Sequence, residues 1–263
     1  MRTTIIIAVS AIATACHHTP PPMSAPAPEL GIAIPIAPGK TAAWQSALGD
    51  LLGPRYAEYE TSRTRFGLTS QTTFLQQTPM GDFALIHLTG ADVRASFHAM
   101  STSQDPWDVR WRELTQDLHG VDFAAGDRVI PRVEPAFSMD SGGTAAATPF
   151  MFLAPLGSGG AASFRSLAAE LMGPRHAEYE RARAAIGVRR EAVFVETTAR
   201  GDAAVFYWLA DDPVASLRAL ASSTDPFDVW LRERASGEHP IDLAALAAIA
   251  ERNVLVAQYP KRR

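Results

Sequence analysis

Apolar positions along the chain follow two alternating rhythms. Gly31 to Ala37 and Phe150 to Pro155 are nearly unbroken apolar stretches, the pattern of a strand covered on both faces. Between positions 41 and 52, Trp44, Leu48, Leu51 and Leu52 recur at helical spacing, and Phe164, Leu167, Leu171 and Met172 do so further along. Gly53-Pro54 interrupts the first helix, because proline cannot donate an interior helix bond yet suits the first turn of a new one. A second helical piece is predicted to end at Gly67, which can take the left-handed cap conformation. Thr72 to Gln77 and Phe83 to Leu88 read as strands joined at Pro79-Met80-Gly81-Asp82. Ala192 to Thr197 and Ala203 to Leu209 read the same way about Ala199-Arg200-Gly201-Asp202, so two hairpins are predicted. Asp92 and Asp212 are placed to cap helices with stripes Val93, Phe97, Met100 and Val214, Leu217, Leu220. Asp105-Pro106 and Asp225-Pro226 open further helices, and Val129 to Val133 and Val254 to Tyr259 read as closing strands.

The same series is therefore met twice. An offset of 120 residues lays Leu51-Leu-Gly-Pro-Arg-Tyr-Ala-Glu-Tyr-Glu60 on Leu171-Met-Gly-Pro-Arg-His-Ala-Glu-Tyr-Glu180 and makes about 32 of 85 positions from Thr41 to Ala125 identical. Each copy has the order β-α-β-β-α-β, with the first helix broken in two, which predicts an α+β fold of two ferredoxin-like repeats. The implied layout is a signal peptide over 1–15, a Pro-rich tether over 16–30, repeat 1 over 31–135, a linker over 136–148 and repeat 2 over 149–263. Val205-Phe-Tyr-Trp-Leu209 is apolar on both pleat directions, so each sheet needs a cover beyond its own helices; each copy is expected to cover the other.

The shared motifs Gly-Pro-Arg-x-Ala-Glu-Tyr-Glu, the Gly-Asp hairpin, Asp-Pro-x-Asp-Val and His-x-x-Asp resemble the dimeric α/β-barrel superfamily related to antibiotic-biosynthesis monooxygenases, especially its small bacterial members. The resemblance implies a pseudo-dimeric α/β barrel in a single chain, a monomer with internal two-fold symmetry. It permits cofactor-independent monooxygenase or isomerase chemistry on a cyclic or aromatic compound, and it supplies no catalytic residue.

The N-terminus adds an address. Met1-Arg2 precedes a short apolar run through Ile5, Ile6, Ile7 and Ile12, the form of an export signal and too short to span a bilayer. Ala13-Thr14-Ala15-Cys16 resembles a bacterial lipobox, which implies lipid on Cys16 and a periplasmic or outer-membrane lipoprotein; Ala13-x-Ala15 equally fits simple cleavage after Ala15. Cys16 is the sole cysteine, so no intrachain disulfide can form. Lys and Arg number 24 against 28 Asp and Glu, a net charge of -4, which argues against a nucleic-acid partner.

Candidate chemistry is sparse. Arg55, Tyr59 and Arg63, with their copies Arg175, Tyr179 and Arg183, could grip a carboxylate; as structure they form a solvated, salt-bridged helix face. Asp105 and Asp108 read as an N-cap and a first-turn acid. His119 and His239 follow helices, where a His commonly meets the terminal carbonyls. No metal site or cofactor is evident: His17-His18 is a pair on a tether, and each His-x-x-Asp offers two donors where a site needs three or four. Positions where the copies diverge point to an asymmetric pocket of His87, Glu196, Tyr207 and His176. If the barrel is catalytic, His87 or Glu196 serves there as base and Tyr207 as donor to a developing oxyanion; the other reading of the divergence is neutral drift or satisfied polar core groups. The expected occupant is a small apolar or aromatic ligand; an envelope partner is the other reading.

Overall fold

The computed structural model describes residues 28–123, 132–157, 159–198, 201–238 and 242–260. Cys16, the tether histidines, His239 and the expected strand start at 129–131 lie outside the described residues. The first half runs β1 (Glu29–Pro35), α1 (Thr41–Leu52), α2 (Tyr56–Arg65), β2 (Leu68–Thr78), β3 (Gly81–Gly90), α3 (Val93–Thr102), α4 (Pro106–His119) and β4 (Arg132–Asp140). The second runs β5 (Thr148–Gly157), α5 (Gly160–Met172), α6 (His176–Ala185), β6 (Val188–Thr198), β7 (Gly201–Ala210), α7 (Pro213–Ser222), α8 (Pro226–Glu238), α9 (Leu243–Ala250) and β8 (Val254–Tyr259). The offset that carries Leu68 to Val188 carries β2, β3, α2 and α3 residue for residue onto β6, β7, α6 and α7.

Local signals act as their chemistry dictates. Asp105 accepts from the Trp107 amide at 2.9 Å and Asp225 from the Phe227 amide at 2.8 Å, satisfying donors that a helix start leaves open. Asp92 and Asp212 cap α3 and α7 in the same way. Gly67 closes the α2 turn at φ 71°, where a Cβ would be strained.

The fold is α+β, with two antiparallel four-stranded sheets ordered β1-β3-β2-β8 and β4-β6-β7-β5 and helices outside them, a pseudo-dimeric ferredoxin-like architecture. The closing strands depart from expectation. β4, which ends the first half, pairs with β6 of the second, and β8, which ends the second, pairs with β2 of the first. Each sheet thus takes its fourth strand from the other half. Strand alternation specifies which side chains face inward, but it fits more than one open edge, so the pairing is decided by the path of the chain. The expected 136–148 linker is shortened for the same reason. Its first residues continue β4 to Asp140, and Phe137 and Met139 pack into the core. The Ala-rich segment after the N-cap Asp242 forms α9, which leads the chain across to β8.

The two sheets pack face to face, and along each strand one parity faces the opposite sheet while the other faces the helices. Gly31 in β1 lies against Phe194 of β6, where an added Cβ would stand 2.5 Å from a ring carbon. Phe74 and Phe150 meet edge to face at 5.9 Å. Val205 and Trp208 are buried on opposite faces of β7, the first toward the other sheet and the second toward the helices, as the two-sided apolar pattern requires.

Candidate functional site

The expected asymmetric pocket maps onto the sheet-to-sheet interface, and it is tightly packed. His87 and Tyr207, counterparts by the offset, stack with centroids 3.7 Å apart and planes 7° from parallel. His87 Nε2 lies 2.6 Å from Glu29 Oε1, while Arg190 donates to the other Glu29 oxygen at 2.6 Å. Burial holds the His87 imidazole below its ordinary value against the opposing pull of Glu29, so the ring is neutral near pH 7 and donates its Nε2–H to that carboxylate. Glu196 accepts from the Ala33 amide at 2.8 Å, and burial pushes its carboxyl up to about 7. His176 does not join these groups: it opens α6, half-exposed, 3.6 Å from Glu180.

The expected ligand-binding residues divide in two. Arg55 and Arg175 stay near the surface, donating to Glu58 at 2.7 Å and Glu178 at 2.6 Å. Tyr59, Arg63, Tyr179 and Arg183 are not a solvated face; all four are turned against their sheets and buried. The helix spacing is the reason, since residues four apart on α2 or α6 share one side, and that side meets the sheet.

Arg63 reaches a cavity of about 90 Å³ between the helix side of the first sheet and α1, α3 and α4. Ile86, Leu88, Trp44, Phe97 and Trp111 supply most of its apolar wall, and Gln71, Thr73, Ser101, Thr115 and His119 its polar groups. Arg63 Nη1 donates to Gln71 Oε1 at 3.3 Å, its guanidinium lies over Tyr59 at 4.9 Å, and Nε has no hydrogen-bond partner among the described residues. Burial holds this guanidinium below its ordinary value and pushes the Tyr59 phenol up to about 12. His119 was expected to meet the carbonyls of its own helix; instead Nδ1 bonds the Pro35 carbonyl of β1 at 2.9 Å, because α4 ends beside that strand. A carbonyl only accepts, so Nδ1 carries the proton and the neutral ring keeps Nε2 as its basic atom. Burial lowers the His119 imidazole, which favours that neutral form.

Outside the cavity, a groove of about 360 Å³ runs between α1 and α4, with Arg55, Arg110 and Asp50 on its walls and Trp107 stacked near Trp111 at 6.1 Å. Trp111 lines both spaces.

The second half differs at these positions in both directions: Phe164, Leu217, Leu231 and Leu243 stand where the first half has Trp44, Phe97, Trp111 and Phe123, while its sheet carries larger groups. Phe206 and Trp208 stand where the first half has Ile86 and Leu88, stacking on Phe152 at 4.6 Å and meeting it edge-on at 5.0 Å. Glu191 replaces Gln71 and accepts from Arg183 Nε at 3.1 Å and from the Tyr179 hydroxyl. Burial lowers the Arg183 guanidinium, but Tyr179 and Glu191 outweigh it and raise it overall. Over the outer groove, Arg175 lies 3.6 Å from the Trp230 ring. Gln71 and Thr73 were missed from sequence. The available signal was the offset itself, which sets them against Glu191 and Val193, but these strands are identical only at Phe74/Phe194 and Thr78/Thr198, so the two changes did not stand out. Among the described residues no group of three His, Cys, Asp or Glu is placed to hold a metal ion.

Neither a protein-family model nor a curated protein sequence matches the chain. Three solved structures are similar in outline. A "putative monooxygenase" from Fusobacterium nucleatum is 10% identical, with 80% of this chain and 86% of that one covered at a TM-score of 0.45. An "anthrone oxidase-like protein" is 14% identical over 87% and 89% at 0.38. A "putative monooxygenase" from Lactobacillus acidophilus is 10% identical over 81% and 88% at 0.40. Similarity at this level assigns no residue a role.

Proposed function

We propose that the first half of the chain binds a small apolar or aromatic molecule in the cavity beneath α1, α3 and α4, and that the second half is its filled, supporting twin. The observation that carries this reading is the cavity itself together with the paired difference Ile86 and Leu88 against Phe206 and Trp208: at these two sheet positions the first half borders open space and the second half carries rings packed on Phe152. A largely apolar cavity with a few converging polar groups has the lining of a ligand site, although this one is well below the usual volume of such sites. At about 90 Å³ it suits a one-ring occupant. Trp44 and Trp111 on its wall supply the readout: toluene titrated into the full chain quenches their fluorescence and raises Tm. Leu88→Trp, which copies the second half, abolishes both effects. Undiminished toluene binding in that variant, or none in the parent, refutes the reading.

A second reading is turnover of the bound ligand by a cofactor-independent monooxygenase or isomerase. It is favoured by His119, a residue of the cavity wall whose Nδ1 is pinned on Pro35, so that Nε2 is the ring's basic atom. The proposal includes export of the chain with lipid on Cys16, read from the Ala-Thr-Ala-Cys sequence. Mass spectrometry of envelope-purified protein tests it, since the mature N-terminus carries either a diacyl adduct or a free amine.

A further inference from the structure

The filled half carries more than a plug: it holds a carboxylate. In α6, Tyr179 and the buried Arg183 both direct hydrogen bonds at Glu191 Oε2. In α2 the same tyrosine and arginine are kept as Tyr59 and Arg63, yet the strand beside them offers Gln71, a neutral amide. Arg63 is 4% exposed and forms no ion pair within 4 Å among the described residues. Asp108, an acid whose charge acts on it, is engaged by Ser62, Ser103 and Arg65. A buried cation lacking an anion is a costly arrangement, and this one borders a cavity with its Nε unpartnered. At the Gln71, Ile86 and Leu88 positions of the first sheet the second half has a carboxylate and two aromatic rings, Glu191, Phe206 and Trp208.

We propose that the ligand of the first-half cavity is a one-ring aromatic carboxylate, its carboxylate paired with Arg63 and its ring lying where the second half has Phe206 and Trp208. Glu191 with its neighbouring rings is the internal outline of that ligand. The flat guanidinium fork matches a carboxylate, and the apolar wall matches the ring. This rests on the reading that the cavity takes a ligand, and its test separates the two.

Benzoate, benzamide, toluene and chloride are titrated into the full chain by calorimetry. Benzoate is expected to bind about tenfold tighter than benzamide, its neutral counterpart. Gln71→Glu, which installs the carboxylate of the second half, is expected to lower the ratio of benzoate to toluene affinity about tenfold and to raise Tm. Arg63→Gln, checked for folding by circular dichroism, lowers the same ratio and serves if the first variant misfolds. Equal affinity for benzoate and benzamide, an unchanged ratio in both variants, or chloride competing as well as benzoate overturns the proposal. Toluene binding beside any of those results leaves the cavity reading standing, whereas failure of every organic probe removes both.

Discussion

Glu196 and Gln76 perform the same task on opposite sides of the sheet interface: Glu196 accepts from the Ala33 amide at 2.8 Å, and Gln76 accepts from the Leu153 amide at 2.9 Å. Gln76 also donates to the Leu153 carbonyl at 3.3 Å, which an ionised Glu196 cannot do for Ala33. The neutral amide suits this buried position, and the carboxylate suits it only when protonated.

A pH dependence of stability follows. The folded-state carboxyl of Glu196 is raised to about 7 from an ordinary value of 4.5, so its share of stability is intact below pH 4.5 and lost as pH climbs from there through about 7. Glu196→Gln is expected to match the parent at low pH and to exceed it by about 3 kcal/mol at pH 9, from 1.36 kcal/mol per pH unit. Urea unfolding of both proteins at the two pH values checks it; equal midpoints at pH 9 would refute this account.

Close packing at the same interface gives a second prediction. Alanine at Gly31 drives a methyl into the Phe194 ring, so Gly31→Ala should destabilise by about 1–3 kcal/mol. Phe194→Leu creates space, and the double variant should recover part of that loss in a double-mutant cycle. Strict additivity would show that the contact does not govern the site.

Much of this frame was readable from the sequence, because it rests on local rules. Asp105 and Asp225 cap helices, Gly67 takes a left-handed turn, and the two-sided apolar pattern of Val205 to Leu209 demands two covers. Pairing partners were not readable. Val133 and Leu255 alternate as strand residues whichever edge receives them. The site was half legible. Arg63 and Tyr59 stood out by type and spacing, but charged residues on a short helix look solvated until the sheet is placed beneath them. His87, Glu196 and Tyr207 drew attention by diverging between copies. That divergence falls at an interface at which the copies touch each other and so need not match.

The buried ion pair of the second half supplies a third prediction. Glu191→Gln leaves Arg183 with only an amide, as Arg63 has, and should cost about 3 kcal/mol because a buried charge loses its counter-ion. Chemical denaturation measures it. A cost near zero would mean that Arg183 finds another anion.

Exchange of the closing strands yields a fourth. Because β8 completes the first sheet and β4 the second, neither half can unfold without breaking strand pairs of the other. Calorimetry should show one transition, with van't Hoff and calorimetric enthalpies equal. Two separable transitions would contradict the exchange.

The strand that finishes the first sheet, β8, follows every other strand of both sheets in the chain. A nascent chain leaving the ribosome therefore carries an incomplete first sheet, with the edge of β2 uncovered, until β8 emerges, however early its helices form. Closure waits for the second half to be released.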